Sequence, residues 1–358
     1  MGNILEQKKR YLWIDIARVV TFWFVIADHA CGFDLDKLEY GSLRYNVCFT
    51  WGLWCHACIP FFIMLSGALM LNREPDIKKI FTQKIPKLIG AKIVNFTAYV
   101  VVNLAVCIYL NEVYFERVMY PALHEDGGTY FLALIGGCYL LTPLLFTFCQ
   151  NDKLEKYFLI LSVVFSTVIP ILGNFPYIGG MARYLDIQMR MYFVHGIVFY
   201  FVLGHYLMKH ISEIKKSTAI ILLAVTIFVV IYVDWRNIFN VNQMGLISAI
   251  NQTYYDDYMN LPSMAFAIAV FIFFYAVFQD ASFGNKIDSL IRHMGKNTMA
   301  IYLLHFPLLY GIQEAHISPN VSPVYSLGVL VEVTIIFMVL YGVSLIWERI
   351  PLLNRIIH

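Results

Sequence analysis

Residues 18–29 read RVVTFWFVIADH. Arg18 opens the stretch, Asp28 and His29 close it, and Thr21 alone is polar among the residues between. The run lies inside the apolar segment 12–33, whose length matches the roughly 20 residues that cross a bilayer as a helix. Ionisable side chains are costly there and default to a functional role. On a helix, eleven residues make three turns plus about 20° and rise about 16 Å, so Arg18 and His29 share a face. That face reads Asp15, Arg18, Phe22, Val25, His29. Asp15 stands one turn before Arg18, close enough to pair with it, whereas Asp28 lies about 80° off the stripe. Spacing alone leaves two readings open. One is a neutralised ion pair with a packing imidazole; the other is a route along which a cation receives an anion and a base waits further on.

Composition sets the class. The chain has 358 residues, 59% hydrophobic and 14% charged, with a mean hydropathy of +0.66. Soluble domains carry roughly 25% charged residues, so the expectation is a polytopic membrane protein. A formal net charge of +2 and the lack of a dense basic patch argue against nucleic acid as a partner. The first apolar segment is too long for a secretory leader and holds Arg18, so it is read as a retained span. The seven cysteines are scattered through apolar stretches. Cys55 and Cys58 form a CxxC pair, but no second pair follows at zinc-like spacing, and no metal is expected.

Ten segments have the length and apolarity of spans: 12–33, 47–71, 90–110, 129–148, 157–173, 191–208, 218–235, 262–280, 297–313 and 324–347. The fold class expected is therefore all-α, a bundle of about ten transmembrane helices forming one domain over 1–358. Nineteen of the 26 Lys and Arg residues fall in the N-terminal tail and alternate connectors, six fall in the others, and Arg18 is inside a span. Basic residues mark the cytoplasmic side, which places both termini there. Arg18 then lies towards the cytoplasm and His29 in the outer half. The outer connectors carry acids and aromatics, read first as an interfacial belt.

With these residues in hand, the chain resembles the acyltransferase 3 family of integral-membrane acyltransferases. The segment RYLWIDIARVVTFWFVIADHA (10–30) is similar to the family's first span, with a basic residue, ten residues and a histidine. CIPFFIMLSGALML (58–71), TYFLALIGGCYLLTPLL (129–145), FYFVLGHYL (199–207) and GKNTMAIYLLHFPLL (295–309) resemble four further family segments in order. The resemblance implies a cytoplasmic acyl-CoA donor, acetyl-CoA first, and a hydroxyl acceptor outside, commonly a sugar. It implies that His29 is essential, as base or acyl carrier, with Arg18 its partner on the acyl route. The family's donor-associated Arg-x-x-Arg pattern is here Lys84-Ile-Pro-Lys87, which keeps the charge and loses the bidentate fork. Asp28 stands where relatives often have glycine, able to raise His29 basicity through water. His305 comes with the last motif and joins Asp15 as an expected substrate-side residue. His195 and His205 read more readily as packing histidines.

Pantetheine would enter past Arg18 and deliver the thioester towards His29. Ending at residue 358, the chain is expected to be the stand-alone form, without an SGNH-type domain. It would work in a bacterial inner or plasma membrane, among lipids, with homo-oligomerisation left open. The rival reading is a transporter or flippase for a lipid-linked sugar, with Arg18, His29 and His305 as its path. Against it, no paired halves with interrupted segments stand out.

Overall fold

The computed structural model describes residues 11–35, 38–39, 42–53, 57–124, 129–239, 257–315 and 325–357. Among them every regular element is helical. Cys55 and most of the long connector 236–261 lie outside the described residues. The helices are α1 (Leu12–Leu35), α2 (Leu43–Leu53), α3 (Cys58–Met70), α4 (Ile77–Tyr109), α5 (Phe115–His124), α6 (Tyr130–Cys149) and α7 (Asp152–Gly173). They continue as α8 (Gly179–Met189), α9 (Val198–His210), α10 (Lys216–Phe239), α11 (Leu261–Phe278), α12 (Asn285–Glu314), α13 (Tyr325–Trp347) and α14 (Pro351–Ile357).

Six helices among the described residues are long and apolar enough to cross a membrane: α4, α6, α7, α11, and the stretches Lys216–Val233 and Gly328–Trp347. Several of the expected segments differ from their predicted bounds in physically readable ways. Segment 47–71 is two helices, α2 and α3, instead of one; Pro60 sits in the first turn of α3, where its missing N–H leaves no ladder bond unmade. The helix expected over 90–110 starts at Ile77, because Asp76 caps the backbone N–H of Lys79, and it passes through a π-helical turn at Ile80–Lys84. The helix over 297–313 likewise extends back to Asn285. In 191–208 the helix α9 is only 13 residues long.

Side-chain contacts fix the helix directions. Asp15 abuts Gly295 and His29 meets His305, so α1 and α12 run parallel. Tyr139 lies under Lys84 while Phe131 packs on Tyr302, so α6 runs against them. Helix α13 is also antiparallel to α12: Glu348, just past its end, reaches Asn297 in the first half of α12, while Thr334, midway along α13, accepts from Trp23 of α1. The core forms where Trp13, buried on α1, packs edge-on against Phe271 and Tyr275 of α11.

Two close approaches explain the glycines in the sequence motifs. A Cβ on Gly67 would lie 1.7 Å from the carbonyl oxygen of Phe201, and one on Gly204 would lie 1.9 Å from that of Met64. Helices α3 and α9 thus touch backbone to backbone, the contact that small residues permit inside membranes. Proline 307 lies within α12. It cannot donate to Leu303 four residues back, and the side-chain amide of Asn95 on α4 donates to that carbonyl at 2.9 Å instead. The helix therefore continues through the proline with its freed acceptor satisfied.

Candidate active site

The helices α1, α3, α4, α6 and α12 surround a cavity of about 580 Å³. Arg18, Phe22, Val25 and His29 line it from α1, and Lys84, Lys87, Lys296 and His305 line it from α4 and α12. Arg18 sits towards one end, joined by the lysines. Lys84 Nζ lies 5.0 Å from the ring centre of Tyr139, which also lines the wall. About 16 Å further along α1 stand the imidazoles.

His29 and His305 face each other with ring centroids 5.3 Å apart and planes at 37°. Phe306 packs edge-on against His29 at 5.0 Å, and Phe22 against His305 at 5.4 Å. His305 Nδ1 lies 2.6 Å from the carbonyl oxygen of Tyr302. A carbonyl only accepts, so Nδ1 carries the proton and Nε2 of the neutral ring keeps its lone pair. That Nε2 is buried, with no hydrogen-bond partner among the described residues. An aromatic cage thus holds a preset hydrogen-bond acceptor beside a second imidazole. His29 is the more open of the two, with 24% of its side chain exposed.

The acids stand behind this wall. Asp15 is buried, 3.9 Å from Arg18 Nη1, and the cavity-lining residues do not include it. A Cβ on Gly295 would lie 2.7 Å from Asp15 Oδ1, so the glycine makes room for the carboxylate at the α1–α12 crossing. Asp28 is also off the cavity lining. Its Oδ2 lies 3.7 Å from His29 Nδ1, beyond a direct hydrogen bond and within reach of one bridging water. The cavity therefore brings together Arg18, His29, Lys84, Lys87 and His305, while Asp15 and Asp28 lie outside its lining. Sequence reasoning left out Tyr139, Tyr302 and Lys296 as wall residues. Both tyrosines were visible in the YLL-bearing motifs, and Lys296 was hidden among the lysines attributed to topology.

His195 and His205 lie elsewhere. His195 Nε2 is 3.5 Å from Asp186 Oδ1, and His205 Nδ1 is 2.6 Å from Glu155 Oε1.

A multi-pass helical membrane protein with an internal cavity, basic at one end and bearing paired imidazoles at the other, is the class that fold and site define. The chain belongs to the acyltransferase 3 family: the family model described as "Acyltransferase domain" matches residues 11–348. Comparisons with curated proteins and with solved structures gave no match.

Proposed function

We propose that this chain is an O-acyltransferase of about ten transmembrane helices, with both termini cytoplasmic. It would move an acyl group, acetyl first, from cytoplasmic acyl-CoA to a hydroxyl of an extracytoplasmic carbohydrate acceptor in a bacterial plasma membrane. The observation that carries this reading is the cavity holding Arg18, Lys84 and Lys87 at one end and His29 with His305 at the other. The alternating helix directions and the one-sided placement of basic residues support the topology.

The anionic nucleotide of the donor is held by the lysines as point charges, with Tyr139 beneath Lys84. The thin pantetheine arm runs past Arg18, and the thioester carbonyl reaches the imidazoles. In the direct route, His29 takes the proton of the acceptor hydroxyl as its oxygen bonds to the acyl carbon. The C–S bond then breaks and the CoA thiolate leaves, protonated on its way out. In the two-step route, a histidine nitrogen bonds to the acyl carbon first as the C–S bond breaks and the CoA thiolate leaves; the acceptor oxygen then bonds to the acyl carbon, the C–N bond breaks, and the freed imidazole takes up the hydroxyl proton. Asp28, through water, stabilises the imidazolium that either route creates. Asp15 holds Arg18 in position against the wall.

The test is acyl transfer and CoA release by purified full-length protein with acetyl-CoA. His29→Ala is expected to lose at least about 100-fold in turnover, the range that general acid–base catalysis contributes. Wild-type turnover by that variant overturns the assignment. Acid quenching after acetyl-CoA alone separates the routes, because a label on a histidine requires the covalent one.

A further inference from the structure

Outside the cavity lining, three potential metal-ligating side chains converge from three helices. Cys149 ends α6, Glu155 lies in the first turn of α7, and His205 projects from α9. One donor atom from each lies within 4.8 Å of the other two, and all three residues are buried. His205 Nδ1 is 2.6 Å from Glu155 Oε1. The second carboxylate oxygen of Glu155, in a side chain with 0% exposure, has no hydrogen-bond partner among the described residues.

The Cys149 thiol interacts with the Glu155 carboxylate only as a weak donor, so an imidazole–carboxylate pair with a thiol beside it leaves a buried oxygen poorly satisfied, at a desolvation cost. We infer that Cys149, Glu155 and His205 form a binding site for a borderline divalent transition metal, zinc above all. A thiolate, an imidazole and a carboxylate with water in the fourth position are a zinc donor set. The charges close as well. One thiolate and one carboxylate neutralise the 2+ ion, so the buried site is electroneutral. Binding releases the Cys149 thiol proton, and the imidazole binds through a nitrogen lone pair. Bonds of about 2.0–2.3 Å set tetrahedral donors roughly 3.3–3.8 Å apart, so donors that now lie within 4.8 Å of one another need only small shifts, and the His205–Glu155 contact opens.

The ion would be structural. Helix α7 follows α6 through a two-residue turn, and Asn151 caps its start by accepting from Lys153 and Leu154 N–H. Helix α9 is short, and the metal would pin it to that turn. The ion pair of Lys209 with Asp152 lies beside the site. No sequence motif marks the site, because its ligands are scattered and the CxxC pair lies elsewhere.

The experiment uses full-length protein purified in detergent without chelator. Metal analysis is expected to find about one zinc per chain. After removal of zinc, Co²⁺ added to the apoprotein should give a thiolate-to-cobalt charge-transfer band. Cys149→Ser should abolish the band and Cys138→Ser should keep it, while His205→Gln, with the thiol intact, should weaken Co²⁺ binding at least about tenfold. Wild-type protein that neither retains zinc nor develops the band overturns the site, and so does a band that survives Cys149→Ser.

Discussion

The backbone of α12 beside the imidazoles depends on one side chain of another helix, and that dependence can be measured. Pro307 leaves the carbonyl of Leu303 without its helical donor, and Asn95 supplies one at 2.9 Å. Both Asn95 and Leu303 are buried. Replacing Asn95 by leucine, which keeps the branched shape but has no donor, orphans that carbonyl at about 1–3 kcal/mol. With an unfolding entropy of about 2.1 cal/mol/K per residue, 358 residues give roughly 0.75 kcal/mol/K, so a 2 kcal/mol loss lowers Tm by about 3 °C. In a Pro307→Ala background, the backbone N–H gained at position 307 reaches the Leu303 carbonyl, and Asn95→Leu should then cost less than about 0.5 kcal/mol. Denaturant-driven unfolding of the four proteins in one detergent gives the double-mutant cycle, with a coupling of about 1.5 kcal/mol expected. Equal costs of Asn95→Leu in both backgrounds would refute the compensation argument.

Other perturbations separate the parts of the site. Replacing both Lys84 and Lys87 by alanine should raise KM for acyl-CoA about tenfold, equivalent to roughly 1.4 kcal/mol. It should also flatten the salt dependence of KM, with kcat little changed; steady-state kinetics at two ionic strengths reads both. Gly204→Leu drives a side chain into the carbonyl of Met64, and loss of monodisperse protein on size exclusion is the expected result. Glu348 accepts from Asn297 at 3.1 Å and pairs with His293 and Lys296. Burial pushes its carboxyl up, but the Asn297 hydrogen bond and the two basic neighbours outweigh it and hold the pKa below the ordinary 4.5. A folded-state pKa lowered in this way gives stability that is present above about pH 4.5 and lost as pH falls through the lowered value. Glu348→Gln should remove that acid-side slope from a thermal-stability profile.

The fold was legible wherever a physical rule acts within one segment. Apolar length found the helices, and the 100° step of α1 placed Arg18, Phe22, Val25 and His29 on one face, the face that lines the cavity. What stayed hidden depends on partners distant in the chain. Pro307 reads as a weak point of its segment until Asn95, 208 positions away from Leu303, is seen to complete it. Gly67 and Gly204 are motif letters until α3 and α9 cross. Hydropathy is continuous over 47–71, so composition cannot show that α2 and α3 are separate helices. Asp15 reads as substrate-facing on the stripe because a helical wheel shows angle and not the neighbour that covers it, here Gly295 of α12.

Within the proposed reaction, the two imidazoles are not equivalent. His305 has its Nδ1 proton committed to the Tyr302 carbonyl, so its one free function is the Nε2 lone pair. It is enclosed by Phe22, Tyr302 and Phe306, and among the described residues no carboxylate lies against it to balance a positive charge. His29 is half-open to the cavity and has the Asp28 carboxylate 3.7 Å from its Nδ1. A proton taken from a hydroxyl is therefore held more cheaply on His29, while His305 serves as an acceptor that orients the incoming group. The partition predicts different signatures. His305→Asn, which keeps an acceptor, should retain more turnover than His305→Leu, whereas His29→Asn should be as inactive as His29→Ala. Asp28→Asn should move the pH profile of kcat and leave KM for acyl-CoA unchanged. If instead His305→Leu retained wild-type turnover, the buried lone pair would be a packing consequence, and the acceptor would have to be oriented by His29 alone.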